Sequence, residues 1–208
     1  IPLREIKPQM GYLLAKQKTA KDSDISTQIL DARDIVKNFT IRSEKTLLGT
    51  GAQTTIRAVD HVSFQVNQGE CLGLVGESGC GKTTVSRIIM RVMDPDKGEV
   101  IFNDNGTQVD LVKKTDSEMV PYRRKIQYVF QDPFGSLNPR MTVFDTLSEP
   151  LLIHNLGDLD YRQKVAMELM ELVGMDPRHL NRYPHSFSGG QRQRIGIARA
   201  LAVQPEFI

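Results

Sequence analysis

The 208-residue sequence predicts an α/β fold: a mixed α/β first part that holds a phosphate-binding loop, followed by a helical insert. Three observations predict it. The run Gly76-Glu77-Ser78-Gly79-Cys80-Gly81-Lys82-Thr83 has the form G-x-x-x-x-G-K-[ST]. It lies between the apolar run Cys71-Leu72-Gly73-Leu74-Val75, suited to a buried parallel strand, and a stretch in which Val85, Ile88, Ile89 and Val92 share one helix face. Strand-like segments crowd the chain before the loop, and the texture turns helical after residue 133.

The glycine loop carries the most chemistry. Its glycines let the backbone turn tightly with N–H groups pointing inward, Lys82 supplies a cation, and Thr83 supplies a hydroxyl for Mg²⁺. The helix that begins there directs its positive end at the same anion. Asp94-Pro95 is expected to stop that helix, because proline disfavours helical geometry in the residue before it.

Composition narrows the class. A net charge of +2 with 25% charged residues gives no case for nucleic acid by bulk electrostatics. The two cysteines, Cys71 and Cys80, point to neither a disulfide framework nor a metal site and suit a reducing compartment. No apolar run reaches the roughly 20 residues that cross a bilayer.

Residues 1–27 are polar without a clear period and read as a linker or extension. Residues 28–39 alternate loosely as a strand, 43–54 read as a loop, and 55–59 and 61–66 as two further strands. Asn67-Gln68-Gly69 is a turn. A strand-and-turn region spans 98–110, and Lys125-Ile126-Gln127-Tyr128-Val129-Phe130 is a second buried-strand candidate. Residues 134–140 form a loop, and 142–154 look helical despite Pro150. Asp160, with Gln163 three residues on, reads as the start of a helix striped by Val165, Leu169, Leu172 and Val173 and closed by Gly174.

A second anion-binding constellation is Ser188-Gly189-Gly190-Gln191. Ser188 and Gln191 can cap the helix reciprocally, Ile195, Ala198, Leu201 and Ala202 mark its buried face, and Gln204-Pro205 ends it. The two glycines are poor helix formers, but their missing side chains let an anion approach the exposed N–H groups.

With these motifs in view, the chain resembles the ATP-binding domains of ABC transporters. Residues 76–83 are similar to the Walker A loop. Ser188-Gly189-Gly190-Gln191 is similar to the signature motif, with Phe187 where Leu is commonest, and Gln131 falls where the family places its Q-loop glutamine. The likeness covers about residues 29–208, and 129–142 and 182–195 narrow it to the dipeptide, oligopeptide and glutathione import branch. The resemblance implies a P-loop NTPase core of ABC type with an N-terminal antiparallel β subdomain and a helical insert. It divides residues 28–208 into a β subdomain with the first part of the core (28–132), a helical subdomain (133–188), and the signature helix with the start of a Walker B strand (189–208). The opening Ile1-Pro2-Leu3-Arg4-Glu5-Ile6 weakly resembles the connector between fused ATPase halves.

The resemblance also implies ATP and Mg²⁺ as cofactors. Gly76, Glu77, Ser78, Gly79, Cys80 and Gly81 would cradle phosphate, and Lys82 would meet the β- and γ-phosphates. Thr83 and Gln131 would contact Mg²⁺, Thr84 the α-phosphate, and Phe39 would stack on adenine. Ser188, Gly189, Gly190 and Gln191 would close on the γ-phosphate bound by a second ATPase domain, whether a separate homo- or heterodimer partner or a fused half. Residues 131–140 would meet transmembrane permease subunits, with a substrate-binding protein as indirect partner and the cytoplasmic face of the inner membrane as location. The Walker B Asp, the catalytic Glu and the switch His have no match among these residues, so no catalytic residue is expected within the 208 and competent hydrolysis by them alone is not expected. His154, His179 and His185 show no ligand spacing, and Arg192 and Arg194 read as solvated or subunit-facing. The competing classes are a soluble ABC-type ATPase acting on nucleic acid or in translation, which would lack the 131–140 pattern, and a P-loop kinase, which would not need Ser188–Gln191.

Overall fold

A computed structural model describes residues 28–42, 53–132 and 135–208; of Ile41, Arg42, Gln53 and Thr54 it gives the backbone only. The expected linker at 1–27, most of the loop at 43–54, and Phe134 therefore lie outside the described residues. The described chain forms two compact units, 28–120 and 121–208.

The first unit is built on a four-stranded antiparallel sheet in the order β2-β1-β3-β4, with β1 Gln28–Arg42, β2 Gln53–Asn67, β3 Lys97–Asp104 and β4 Thr107–Asp110. β1 and β2 are 15 residues each, so 55–59 and 61–66 belong to one strand and not two. Left-handed residues mark the interruption that the sequence suggested: Asp34 at φ 52° and His61 at φ 49°. The His61 Nδ1 to Asp34 Oδ1 distance is 2.6 Å, and the Asp34 N–H donates to Ser63 Oγ at 2.8 Å. The register shifts between Ala32 and Ile35, which turns both Ile35 and Val36 into the core. Asn105-Gly106 closes the β3–β4 hairpin with φ of 50° and 93°, the signs that a tight two-residue turn needs. Leu30, Ala32, Ile35, Val100 and Phe102 are fully buried on this sheet, as is Ile88 in the helix that follows the glycine loop.

Helix α1 (Lys82–Ile89) buries Val85, Ile88 and Ile89 as expected, but it ends before Val92 and Asp94-Pro95. Arg91 adopts a left-handed φ of 51°, which breaks the ladder, and Val92 is left 72% exposed. The run at 71–75 forms no strand, and Leu72, Leu74 and Val75 are exposed. Strand geometry holds where a neighbour takes up the backbone N–H and C=O groups, and none of the described strands pairs with this run. For the same reason residues 125–130 form only a single parallel bridge, Ile126 to Phe207, with the Gln127 N–H donating to Phe207 O at 2.9 Å.

Helix α2 (Asp116–Lys125) runs through the division between the units and was not anticipated. Its signal was Thr115-Asp116-Ser117-Glu118: Glu118 accepts from the Thr115 N–H at 2.9 Å, and Thr115 Oγ1 accepts from the Glu118 N–H at 3.4 Å. Only Met119 is buried in it, so no apolar stripe advertised the helix.

The second unit packs α3 (Val143–Ile153), α4 (Leu159–Leu172) and α5 (Gly189–Leu201) around Leu147, Leu151, Val165, Leu169, Met170, Ile195 and Ala198. Thr142 and Asp145 form a capping box at the head of α3, which continues through Pro150. The cap of α4 is Asp158, accepting from the Tyr161 N–H at 2.9 Å, and not Asp160. Asp160 sits in the first turn and pairs with Lys164. The buried stripe of α4 is Val165, Ala166, Leu169 and Met170, whereas Leu172 is 37% exposed. Gly174 closes the helix at φ 70°.

Candidate functional site

The glycine loop stands at the head of α1. Gly81 occupies the N-cap position at φ 98°, with no side-chain hydrogen bond capping the helix. The first N–H groups of a helix have no partner within it, so this end offers unclaimed donors backed by the helix dipole. Gly81 is fixed there by packing as well as by conformation. A Cβ at this position would lie 2.1 Å from the Ala58 carbonyl oxygen of β2. The sheet therefore supports the loop from beneath, although no strand leads into it.

The Lys82 ammonium folds back over the loop. It donates to Gly76 O at 2.7 Å, to Glu77 O at 2.6 Å and to Cys80 Sγ at 3.4 Å. The Lys82 ammonium thus sits among exposed residues 76–80, where an anion can compete with these neutral acceptors for it. Thr83 is exposed in the first turn and Thr84 half-buried beside it. These donors fit a polyphosphate: uncapped amides, an ammonium and a hydroxyl, with no carboxylate among them except the exposed Glu77. No group of three or more His, Cys, Asp or Glu residues suited to a metal occurs among the described residues. A divalent cation here would take most of its ligands from phosphate and water, with Thr83 as a protein ligand, in the manner typical of Mg²⁺.

Phe39 lies on β1, 38% exposed, opposite the exposed Ile56 of β2. Its ring centroid is 6.0 Å from the Lys37 ammonium. Both cysteines are free and exposed.

In the second unit, Ser188 caps α5. Its hydroxyl accepts from the Gln191 N–H at 3.3 Å, and Gln191 Oε1 accepts from the Ser188 N–H at 3.0 Å. The box leaves the Gly189 and Gly190 N–H groups outside the helical ladder and the Ser188 hydroxyl hydrogen free to donate. A Cβ on Gly190 would meet nothing within 4 Å, so the approach to these amides is open. Phe187 is buried against His179, with ring centroids 6.0 Å apart. Arg192, read as solvated or subunit-facing, is half-buried, and its Nε donates to Phe187 O at 3.0 Å, bracing the chain just before the cap.

Gln131 is exposed in the segment before α3. Sequence reasoning missed what holds that segment to α5: Arg199 Nη1 donates to Ser136 O at 2.8 Å across 63 residues. Burial pushes the Arg199 guanidinium down from its usual value, with Glu149 partly offsetting it. No local pattern could reveal a contact of that separation. Of the histidines given no role, His154 is held below its usual value by burial, with Arg124 adding to the effect, and His185 stacks on Tyr183.

The comparisons with known proteins follow the same lines. The oligopeptide transport ATP-binding protein OppF of Bacillus subtilis is 54% identical over 155 residues, covering 74% of this chain and 50% of OppF. A putative peptide import ATP-binding protein of Brucella ovis is 43% identical over 182 residues, covering 88% of this chain and 53% of its own. The chain therefore spans about half the length of the curated relatives it matches. Among solved structures, a dimeric post-hydrolysis state of the ATP-binding cassette MJ0796 bound to ADP and Pi superposes with a TM-score of 0.71 at 30% identity. That match covers 85% of this chain and 71% of the cassette. The family model described as ABC transporter matches residues 59–208, from the second half of β2 through the glycine loop to the far side of the Ser188 cap, and the chain belongs to that family.

Proposed function

We propose that this chain is part of the ATP-binding motor of an importer for peptides or glutathione-like substrates. The observation that carries the reading is the glycine loop: an uncapped helix head fixed on the Ala58 carbonyl, with the Lys82 ammonium folded over it. The names of the relatives in Bacillus and Brucella support peptides as the cargo. Lys82 would hold the β- and γ-phosphates, Thr83 a Mg²⁺ ion and Thr84 the α-phosphate, while Phe39 would stack on adenine. Ser188, Gly189 and Gly190 face the γ-phosphate held by a second ATPase domain, since one helix head and one lysine neutralise only part of a triphosphate. Bound ATP would supply the bridging charge and hydrolysis would remove it, a two-state switch. Residues 131–140 dock on the permease. Attachment to the cytoplasmic face of the inner membrane would run through the permease; among the described residues no helix is long and apolar enough to cross a membrane.

The test begins with nucleotide binding, the step that the glycine loop itself would perform. Lys82→Ala removes a charge-assisted contact and is expected to weaken Mg·ATP binding by about 10- to 100-fold in a fluorescence titration, without change in the circular dichroism spectrum. In cells, the same substitution in the full-length protein is expected to abolish uptake of a toxic tripeptide. Unchanged affinity in Lys82→Ala would end this reading of the loop; normal binding with no uptake defect would end the transport role.

A further inference from the structure

We propose that Asp96 is a positioning residue for adenine, acting through Lys37, Asn38 and Phe39; this rests on the reading of Phe39 as the ring that stacks on the base. Asp96 lies in the connection from α1 to β3, 58 residues from Asn38. β1 pairs with β3 only as far as Val36, opposite Lys97, and continues beyond that point with β2 alone. At the parting the Asp96 N–H donates to Val36 O at 2.8 Å. Its carboxylate accepts from the Asn38 N–H at 2.6 Å, from Asn38 Nδ2 at 3.1 Å and from the Lys37 ammonium at 2.9 Å. One side chain thus takes the strand N–H that β3 no longer reaches and fixes the cation lying 6.0 Å from the Phe39 ring.

This clamp stands beside the phosphate loop by strand pairing. Lys37 is opposite Val59, Asn38 opposite Arg57 and Phe39 opposite Ile56. The same stretch of β2 carries the Ala58 carbonyl against which Gly81 packs. Neighbouring strands lie about 5 Å apart, so an aromatic ring on residue 39 is within reach of a base whose phosphates sit at the head of α1. The β1–β2 register shifts between Lys37 and Asn38, so the direction of Phe39 depends on what holds that irregularity. The Lys37 hydrogen bond first, then the Asn38 N–H, hold the Asp96 carboxyl below its ordinary range, so it is an ionised acceptor at neutral pH.

The experiment uses the full-length protein and two probes, Mg·ATP and Mg·tripolyphosphate, in isothermal titration. Phe39→Ala is expected to weaken ATP about 10-fold, the scale of base–aromatic stacking, and Asp96→Ala about 5-fold, with tripolyphosphate unchanged within about twofold for both. Asp96→Asn keeps an acceptor for the Asn38 N–H but loses the ion pair, and its affinity for ATP should fall between wild type and Asp96→Ala. The double variant should bind ATP no more weakly than Phe39→Ala alone, because one residue acts through the other. Equal loss of both probes in Asp96→Ala and Asp96→Asn would overturn the proposal in favour of general support of the sheet. Normal ATP affinity in both Asp96 variants, alongside a weakened Phe39→Ala, would overturn it alone. A Phe39→Ala protein with unchanged ATP affinity would remove the base-stacking reading and the proposal together.

Discussion

Gly81 shows how one missing side chain can decide a site. It needs a left-handed φ of 98°, and a Cβ would collide with the Ala58 carbonyl. Gly81→Ala is expected to cost at least about 1–2 kcal/mol in urea unfolding from the conformation alone, and to weaken nucleotide binding as the loop lifts from β2. The glycine was legible in the sequence; the carbonyl that demands it was not. Asp176 carries a second prediction at this scale. Its side chain accepts from Arg178 Nη2 at 2.6 Å and from the Arg178 N–H at 2.9 Å, which lowers its pKa from the ordinary 3.8 to about 2. Because the folded value is depressed, the support it gives the turn at residues 177–179 is complete above about pH 3.8 and lost as pH falls toward 2. A carboxyl titration by NMR should find the low midpoint, and Arg178→Ala should return it toward 3.8.

Elements form where local signals and packing agree. The head of α5 was readable because Ser188 and Gln191 carry the complete capping-box chemistry within four residues. Gly190 separates structure from function at this element. Its φ is not left-handed and its surroundings are open, so Gly190→Ala should stabilise the fold by roughly 0.4–1 kcal/mol in urea unfolding. The added methyl group stands in the approach to the helix amides, so ATP-dependent pairing of two ATPase domains, followed by gel filtration, should fall. A rise in stability with pairing intact would count against an anion at that helix head. The glycine loop divides differently: its helix followed from the spacing of Val85, Ile88 and Ile89, whereas its preceding strand did not form, because apolar composition supplies no pairing partner.

At the scale of the molecule, each unit stands on its own core. The helical unit draws α3, α4 and α5 onto Leu147, which has no exposed surface. Leu147→Ala is expected to cost about 2–5 kcal/mol, read as a shift of the urea midpoint to lower denaturant, since the cavity opens where α3 meets its neighbours. The buried face of α4 was legible at Val165 and Leu169 and that of α5 at Ile195 and Ala198, because a buried helix face repeats at a fixed period. Helix α2 was not, because with only Met119 buried it has no such face.

The sequence by itself determined the glycine loop, the Ser188 cap and the buried Val165, Leu169, Ile195 and Ala198 of the helical unit, because each is written in nearby residues whose local chemistry suffices. The tertiary structure alone decided that β1 and β2 run unbroken through Asp34 and His61, that the 71–75 run pairs with no described strand, and that Asp96 grips Lys37 and Asn38 while Arg199 grips Ser136. Those contacts join groups up to 63 residues apart, and hydrogen bonds across such separations depend on the packing of whole elements, which no local pattern encodes.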